Sequence, residues 1–135
     1  MKTLTVPAEL EQLEKVREFV AEELERRGCH GKSRFQIEVA VEEIFVNIAH
    51  YAYSPEVGEA TIRCEVTESP LQVIIQFLDH GKPFTPLERE DADTSGDALL
   101  GREGGLGILM VKKSMDRVHY AYEDGKNILT IQKRL

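Results

Sequence analysis

Five of the six residues in Val73-Ile74-Ile75-Gln76-Phe77-Leu78 are apolar, and this run constrains the fold more than any other stretch of the chain. Its β-branched and aromatic content suits a strand, and apolar side chains on both phases of the pleat suit one at the centre of a sheet. A second β-rich run, Ala60 to Val66, precedes it across Thr67-Glu68-Ser69-Pro70, which has the composition of a hairpin connection. Thr3 to Val6 reads as a short strand ended by Pro7. Near the other end, Asp116 to Tyr122 and Asn127 to Lys133 flank Glu123-Asp124-Gly125-Lys126, whose Asp-Gly pair signals a tight hairpin.

Helical periodicity fills the intervals. Leu10, Leu13, Val16, Phe19, Val20 and Leu24 recur at the spacing of an amphipathic helix, stopped by Gly28 and the Gly31-Lys32-Ser33 turn. Ser33 is the expected N-cap of a second helix running to about Tyr53, closed by Pro55 and Gly58. Leu106 to Met115 has helical character as well. Between Thr85 and Glu103 the chain turns acidic and irregular, as a lid or binding loop inside a compact domain would. The order β-α-α-β-β-lid-α-β-β predicts an α+β fold, a two-layer sandwich whose mixed or mostly antiparallel sheet is covered on one face by helices. At 135 residues the chain suits a single domain spanning 1–135.

Composition narrows the class of partner. A net charge of −7 is at odds with non-specific nucleic-acid binding, which needs clustered Lys and Arg to neutralise phosphates. Protein or nucleotide is the expected partner. Cys29 and Cys64 show neither CxxC nor Cys/His spacing, so they read as reduced packing residues rather than zinc ligands or a disulfide. The N-terminus lacks the apolar core of a signal peptide, and no apolar run approaches the roughly 20 residues of a membrane span. A cytoplasmic protein without a membrane anchor is the expectation.

Three short polar constellations carry the chemistry. On a helix, Glu43 and Asn47 are four residues apart and His50 follows three later, so they share one side, while Ile37, Val41, Ile44, Phe45 and Ile48 occupy the other. Val39 and Val46 flank this stripe, an apolar setting in which the Glu43 carboxylate would become more basic. Asp79 ends the apolar strand and is followed by His80-Gly81-Lys82-Pro83-Phe84, which places a carboxylate at a sheet edge beside a backbone open to close approach. Gly104-Gly105-Leu106-Gly107 opens a helical run whose first unpaired N–H groups can cradle phosphate oxygens, with Arg102 just upstream to counter charge. Taken singly, the stripe also fits a solvated helix face, the turn a simple reversal, and the glycines a loop leading into a helix. Neither the GxGxxG fingerprint nor the P-loop fits the glycine cluster.

In this order the three constellations resemble the ATP-binding domain shared by gyrase, the heat-shock chaperone ATPases, histidine kinases and MutL, the histidine kinase-like ATPase (GHKL, Bergerat-fold) family. The short format, with Glu42-Glu43 ahead of Asn47 and Asp79-His80-Gly81-Lys82-Pro83-Phe84 before a lid, looks like the RsbW/SpoIIAB-type anti-sigma-factor serine/threonine kinases. The resemblance implies ATP and Mg²⁺ as cofactors, Glu43 as catalytic base, and Asn47 as Mg²⁺ ligand. It further implies Asp79 with Gly81 at adenine, Gly105 and Gly107 at the phosphates, and an ATP lid at about 85–103. Members of that type phosphorylate a small STAS-domain antagonist, or otherwise sequester a sigma factor, often as homodimers. The histidine that the family carries four residues after its asparagine is Tyr51 here. Two functions follow: a protein serine/threonine kinase, or a non-catalytic ATP-binding module whose nucleotide-gated lid controls a protein interface.

Overall fold

The computed structural model describes residues 1–53, 56, 58–83 and 105–135. Strands β1 (Lys2–Pro7), β2 (Glu59–Thr67), β3 (Gln72–Asp79), β4 (Arg117–Glu123) and β5 (Lys126–Arg134) form one sheet in the order β1-β2-β3-β5-β4. Every neighbouring pair is antiparallel. The apolar run that opened the sequence reading is thus the middle strand. Its Val73, Ile75 and Phe77 are buried, while Ile74, Gln76 and Leu78 lie half-buried on the far face. The β4–β5 hairpin closes through Asp124 and Gly125, with φ of 52° and 74°. Two successive positive φ values are the backbone that an Asp-Gly hairpin turn requires.

Helix α1 (Leu13–Arg26), preceded by a 3₁₀ turn at Leu10–Gln12, and helix α2 (Gly31–Tyr51) precede β2, and helix α3 (Gly105–Ser114) precedes β4. α2 is the central helix, packing on β3 and β5 with α1 and α3 at its sides. Its residues Ile37, Val41, Ile44, Phe45 and Ile48 are buried, as are Val16, Val20 and Leu24 of α1. They meet Ala60, Ile62, Cys64, Ile75, Phe77 and Ile131 of the sheet in one apolar cluster. Removing a side chain such as Phe45 or Phe77 from water contributes about 1.5–3 kcal/mol apiece, so the helix-to-sheet seam is the main stabilising feature. Both cysteines are buried and unpaired with each other, and burial pushes the Cys64 thiol up to about 12.

The helix bounds differ from the sequence expectation at one end of α2. The helix begins at Gly31, after an extended His30 that offers no side-chain cap, and Ser33 lies within the first turn instead of capping it. Pro55 lies outside the described residues, and the helix ends at Tyr51. Among the described residues no helix is long and apolar enough to cross a membrane.

Candidate functional site

The C-terminal half of α2 and the end of β3 border one cavity. Its walls carry apolar Ile44, Ile48, Phe77 and Leu129 and polar Asn47, Asp79, Tyr120 and Asn127. An α-helix raises every fourth residue onto nearly the same face, which is why Ile44, Asn47 and Ile48 share this wall.

Asn47 is only 3% exposed, a setting in which an unpartnered amide would be strongly destabilising. Its Nδ2 donates to the Glu43 main-chain oxygen at 2.7 Å, a bond back along the same helix. Holding the nitrogen leaves Oδ1 as the end that can meet a ligand. The Glu43 side chain is half-buried, and among the described residues its carboxyl accepts no hydrogen bond. Burial raises the Glu43 carboxyl above its usual range, and repulsion from Glu42 adds to the rise. His50 is exposed, so the three-residue stripe separates into a buried amide, a half-buried carboxyl and a surface imidazole.

At the sheet end the polar groups are closely partnered. Asp79 is 6% exposed, and its Oδ1 accepts the Gly81 N–H at 2.9 Å and the Asn127 Nδ2 at 2.9 Å. Among the described residues its Oδ2 accepts no hydrogen bond. Asn127 Nδ2 also donates to the Lys82 carbonyl at 2.9 Å and approaches that of Gly81 at 3.4 Å, while Tyr120 Oη donates to Asn127 Oδ1. The turn after β3 is drawn against the end of α2, where Lys82 N–H donates to the Ala52 carbonyl at 3.1 Å. A Cβ on Gly81 would lie 2.2 Å from that same Ala52 oxygen, so the close approach that glycine permits here is first of all to α2. Tyr53 Oη accepts the His80 N–H at 2.7 Å and donates to the Glu59 carbonyl at 2.6 Å, tying the turn to β2.

Of the residues expected from sequence, Asn47 and Asp79 line the same cavity, Gly81 abuts its rim, and Glu43 sits one helical turn from Asn47. Gly105 opens α3 and Gly107 lies in its first turn. Arg102, Phe84 and the 85–103 segment lie outside the described residues. Asn127 and Tyr120 escaped the sequence reading. The register pairs Asp79 with Asn127 across β3 and β5, and Asn127 shares the inward phase of β5 with Leu129 and Ile131. That polar residue at the head of an apolar phase was the signal available.

The donor set suits a nucleotide with a hard cation. Mg²⁺ takes one or two protein oxygens and fills its shell with phosphates and water, so a single buried amide oxygen such as Asn47 Oδ1 is adequate. Among the described residues no group of three His, Cys, Asp or Glu side chains forms an all-protein metal cage. Asp79, with an Oδ2 that accepts no bond among the described residues, lines the cavity beside apolar Ile44, Ile48, Phe77 and Leu129, a setting that fits the amino group of a flat heterocycle.

Comparison with known proteins agrees with this chemistry. The profile of the histidine kinase-like ATPase domain matches residues 6–133. A serine-protein kinase RsbW from Listeria monocytogenes is 28% identical over 132 residues, 94% of this chain and 83% of that protein. One from Bacillus cereus is 25% identical over 130 residues, covering 93% and 80%. In structure, the chain resembles the RsbU and RsbW domains of a Mycobacterium tuberculosis protein, with a TM-score of 0.69 at 16% identity; all of this chain is covered, and 33% of that one. It also resembles a chain of the SiaB-SiaC complex from Pseudomonas aeruginosa, with a TM-score of 0.64, 16% identity, and coverage of 100% and 90%. The structural likenesses establish a shared fold.

Proposed function

The chain belongs to the histidine kinase-like ATPase domain family, and from that premise we propose that it is an ATP-dependent protein serine/threonine kinase of the anti-sigma-factor type. The observation that carries the reading is the cavity shared by Asn47 and Asp79, with the raised carboxyl of Glu43 one helical turn away. The similarity to RsbW serine-protein kinases along 94% of the chain supports the choice of kinase within the family.

In this reading Asp79 Oδ2 accepts from the exocyclic amine of adenine, discriminating against bases that lack the donor. Asn47 Oδ1 holds Mg²⁺, and the main-chain N–H groups at Gly105 and Gly107, with Arg102, face the phosphates. Mg²⁺, when bound, supplies charge neutralisation of the β- and γ-phosphate oxygens during transfer. Glu43 orients the acceptor hydroxyl and takes its proton, a task favoured by a carboxyl whose basicity burial has raised. The acceptor is a serine or threonine on a small STAS-domain antagonist, and a sigma factor is the alternate partner. The 1–135 chain acts as one domain, with a lid at about 85–103, in the cytoplasm. Neither nucleic acid nor membrane is a partner.

Two measurements test this. Calorimetry with Mg-ATP should give binding that Asp79→Asn weakens by about tenfold, or 1.4 kcal/mol. Phosphate from labelled ATP should appear on a serine or threonine of a STAS-domain protein from the same organism, and Glu43→Ala should abolish that transfer while nucleotide still binds. Binding without any transfer to such partners would reduce the protein to a nucleotide-gated interaction module. No heat at millimolar nucleotide would overturn the ATP reading altogether.

A further inference from the structure

We infer that Tyr120 and Asn127 act as a positioning pair that fixes the Asp79 carboxylate and thereby sets nucleotide affinity, an inference that rests on the pocket assignment above. Asn127 faces Asp79 Oδ1 and the carbonyls of Lys82 and Gly81, and all three are acceptors. Only the amide nitrogen satisfies them, so Oδ1 of Asn127 must turn the other way. There Tyr120 supplies the donor that this oxygen needs. The amide cannot flip without setting its oxygen against three others.

The consequence falls on Asp79. A carboxylate torsion is broad and roughly two-fold, so an aspartate at a pocket wall does not hold one oxygen outward unaided. Here Oδ1 is held by the Gly81 N–H and the Asn127 amide, both at 2.9 Å, and Oδ2 is left as the acceptor for a ligand. The second N–H of Asn127, on the Lys82 carbonyl, fixes the turn that carries Gly81. One side chain therefore orients the carboxylate and the loop beside it. Tyr120 and Asn127 lie on separate strands, β4 and β5, and both line the same cavity. Purely structural needs at these inward positions would be met by the kind of residue that follows on the same phase of β5, Leu129 and Ile131.

The test is Asn127→Asp, read as the affinity for Mg-ATP between pH 6 and pH 8.5 by calorimetry. Two carboxyls would then face each other. The other titratable or charged groups packed around them are His80 and Lys82 in the turn after β3, Tyr120 on β4 and Tyr53 just beyond α2, with Lys126 on the opposite face of β5. Where both carboxyls are ionised they repel, Asp79 loses its donor, and affinity should fall by about tenfold or more against wild type. Acidification that lets the pair share one proton returns a donor to Asp79, so the loss against wild type should shrink as pH falls. A role in packing alone would not make affinity rise with acid. Tyr120→Phe should weaken binding by roughly threefold to tenfold with a wild-type pH profile, since it removes one hydrogen bond and adds no charge.

An Asn127→Asp protein with wild-type affinity and a wild-type pH profile overturns the inference. If that variant does not fold, as read by circular dichroism, Tyr120→Phe decides: affinity within twofold of wild type overturns it. The pocket assignment fails separately, through a wild type that binds no nucleotide or an Asp79→Asn protein that binds as well as wild type. Loss in Asp79→Asn with full affinity in both other variants removes only the positioning pair.

Discussion

On α2, Glu43 and Asn47 are four residues apart in sequence and are linked by a single bond from the Asn47 amide to the Glu43 main chain. At the sheet end, Asp79, Gly81, Tyr120 and Asn127 come from three strands and the turn after β3, and nearly every polar atom has a partner. The helix half leaves the carboxyl proposed as base unneutralised: Glu43 is half-buried, repelled by Glu42, and raised in basicity. The sheet half holds one oxygen of its buried carboxylate before any ligand arrives and leaves the other open. Under the proposed function one half would serve the reaction and the other recognition, so the same kind of mutation should read out differently in the two. Rate should respond on α2, while affinity and stability should move together at the sheet.

The largest effect should come from the helix half. Glu43→Ala removes the proposed base, and the phosphotransfer rate should fall by about 10²–10⁴-fold, the usual contribution of a positioned general base. Its nucleotide affinity and melting temperature should stay close to wild type, because no bond to the Glu43 carboxyl is lost. Single-turnover transfer with labelled ATP, paired with calorimetry, separates the two quantities. A parallel loss of affinity would erase the contrast between the halves.

Gly81→Ala probes the sheet half by force. The added Cβ would meet the Ala52 carbonyl at 2.2 Å, and a main-chain oxygen at the end of a helix has little room to yield. Overpacking of this kind destabilises by about 1–3 kcal/mol, and the rigid neighbour argues for the upper end. Urea denaturation should show the shift in midpoint, and nucleotide affinity should fall with it because the Gly81 N–H is one of the two donors to Asp79. Stability lost without affinity would mean that the turn and the carboxylate are independent.

Tyr53→Phe is a milder cut at the same place. It leaves the His80 N–H and the Glu59 carbonyl without the hydroxyl that joins them. Because both groups are near solvent, water replaces part of what is lost, and the expected destabilisation is about 1 kcal/mol. Hydrogen exchange at the His80 amide should accelerate more than exchange in the middle of β3.

These two halves were also unequally legible in the sequence. Helical spacing alone put Glu43 and Asn47 on one side of α2, and the apolar run Val73 to Leu78 marked the strand that became the centre of the sheet. The Asp-Gly pair located the β4–β5 hairpin for the same local reason. Asn127 and Tyr120 depend on register between strands, and Asn127 meets Asp79 only because β3 and β5 pair with those two residues opposite. No spacing along the chain encodes that meeting. Ser33 failed as a cap for a different reason: the chain leaves Gly28 with φ of 72°, extends through His30 and enters the helix three residues early. Local propensity ranked Ser33 well, and the path of the connection overrode it.

The smallest expected effect returns to Glu43 and tests whether its setting is the helix half's built-in instability. Its folded-state carboxyl is raised by burial first and by Glu42 second, so the native state binds this proton more tightly than the unfolded chain does. Below the ordinary glutamate value, about pH 4.3, both states are protonated and Glu43 carries no penalty. As pH rises through the raised folded value, the native state must hold a charge in a poorly solvated place, and its stability relative to an uncharged residue falls. Glu43→Gln keeps the shape and removes the charge, so its melting temperature should match wild type near pH 4 and exceed it slightly at pH 8. The difference between the two proteins cancels the titrating groups that do not interact with Glu43, leaving Glu43 and its coupling to Glu42. Transfer by the wild type should run the opposite way, declining as acid protonates the base through the same raised value. Opposite pH trends of rate and relative stability from one carboxyl would mean that the group doing the chemistry is the group the fold is least able to solvate. A Glu43→Gln protein no more stable at pH 8 than at pH 4, relative to wild type, would place Glu43 in ordinary solvent and remove the distinction on which the helix half was read.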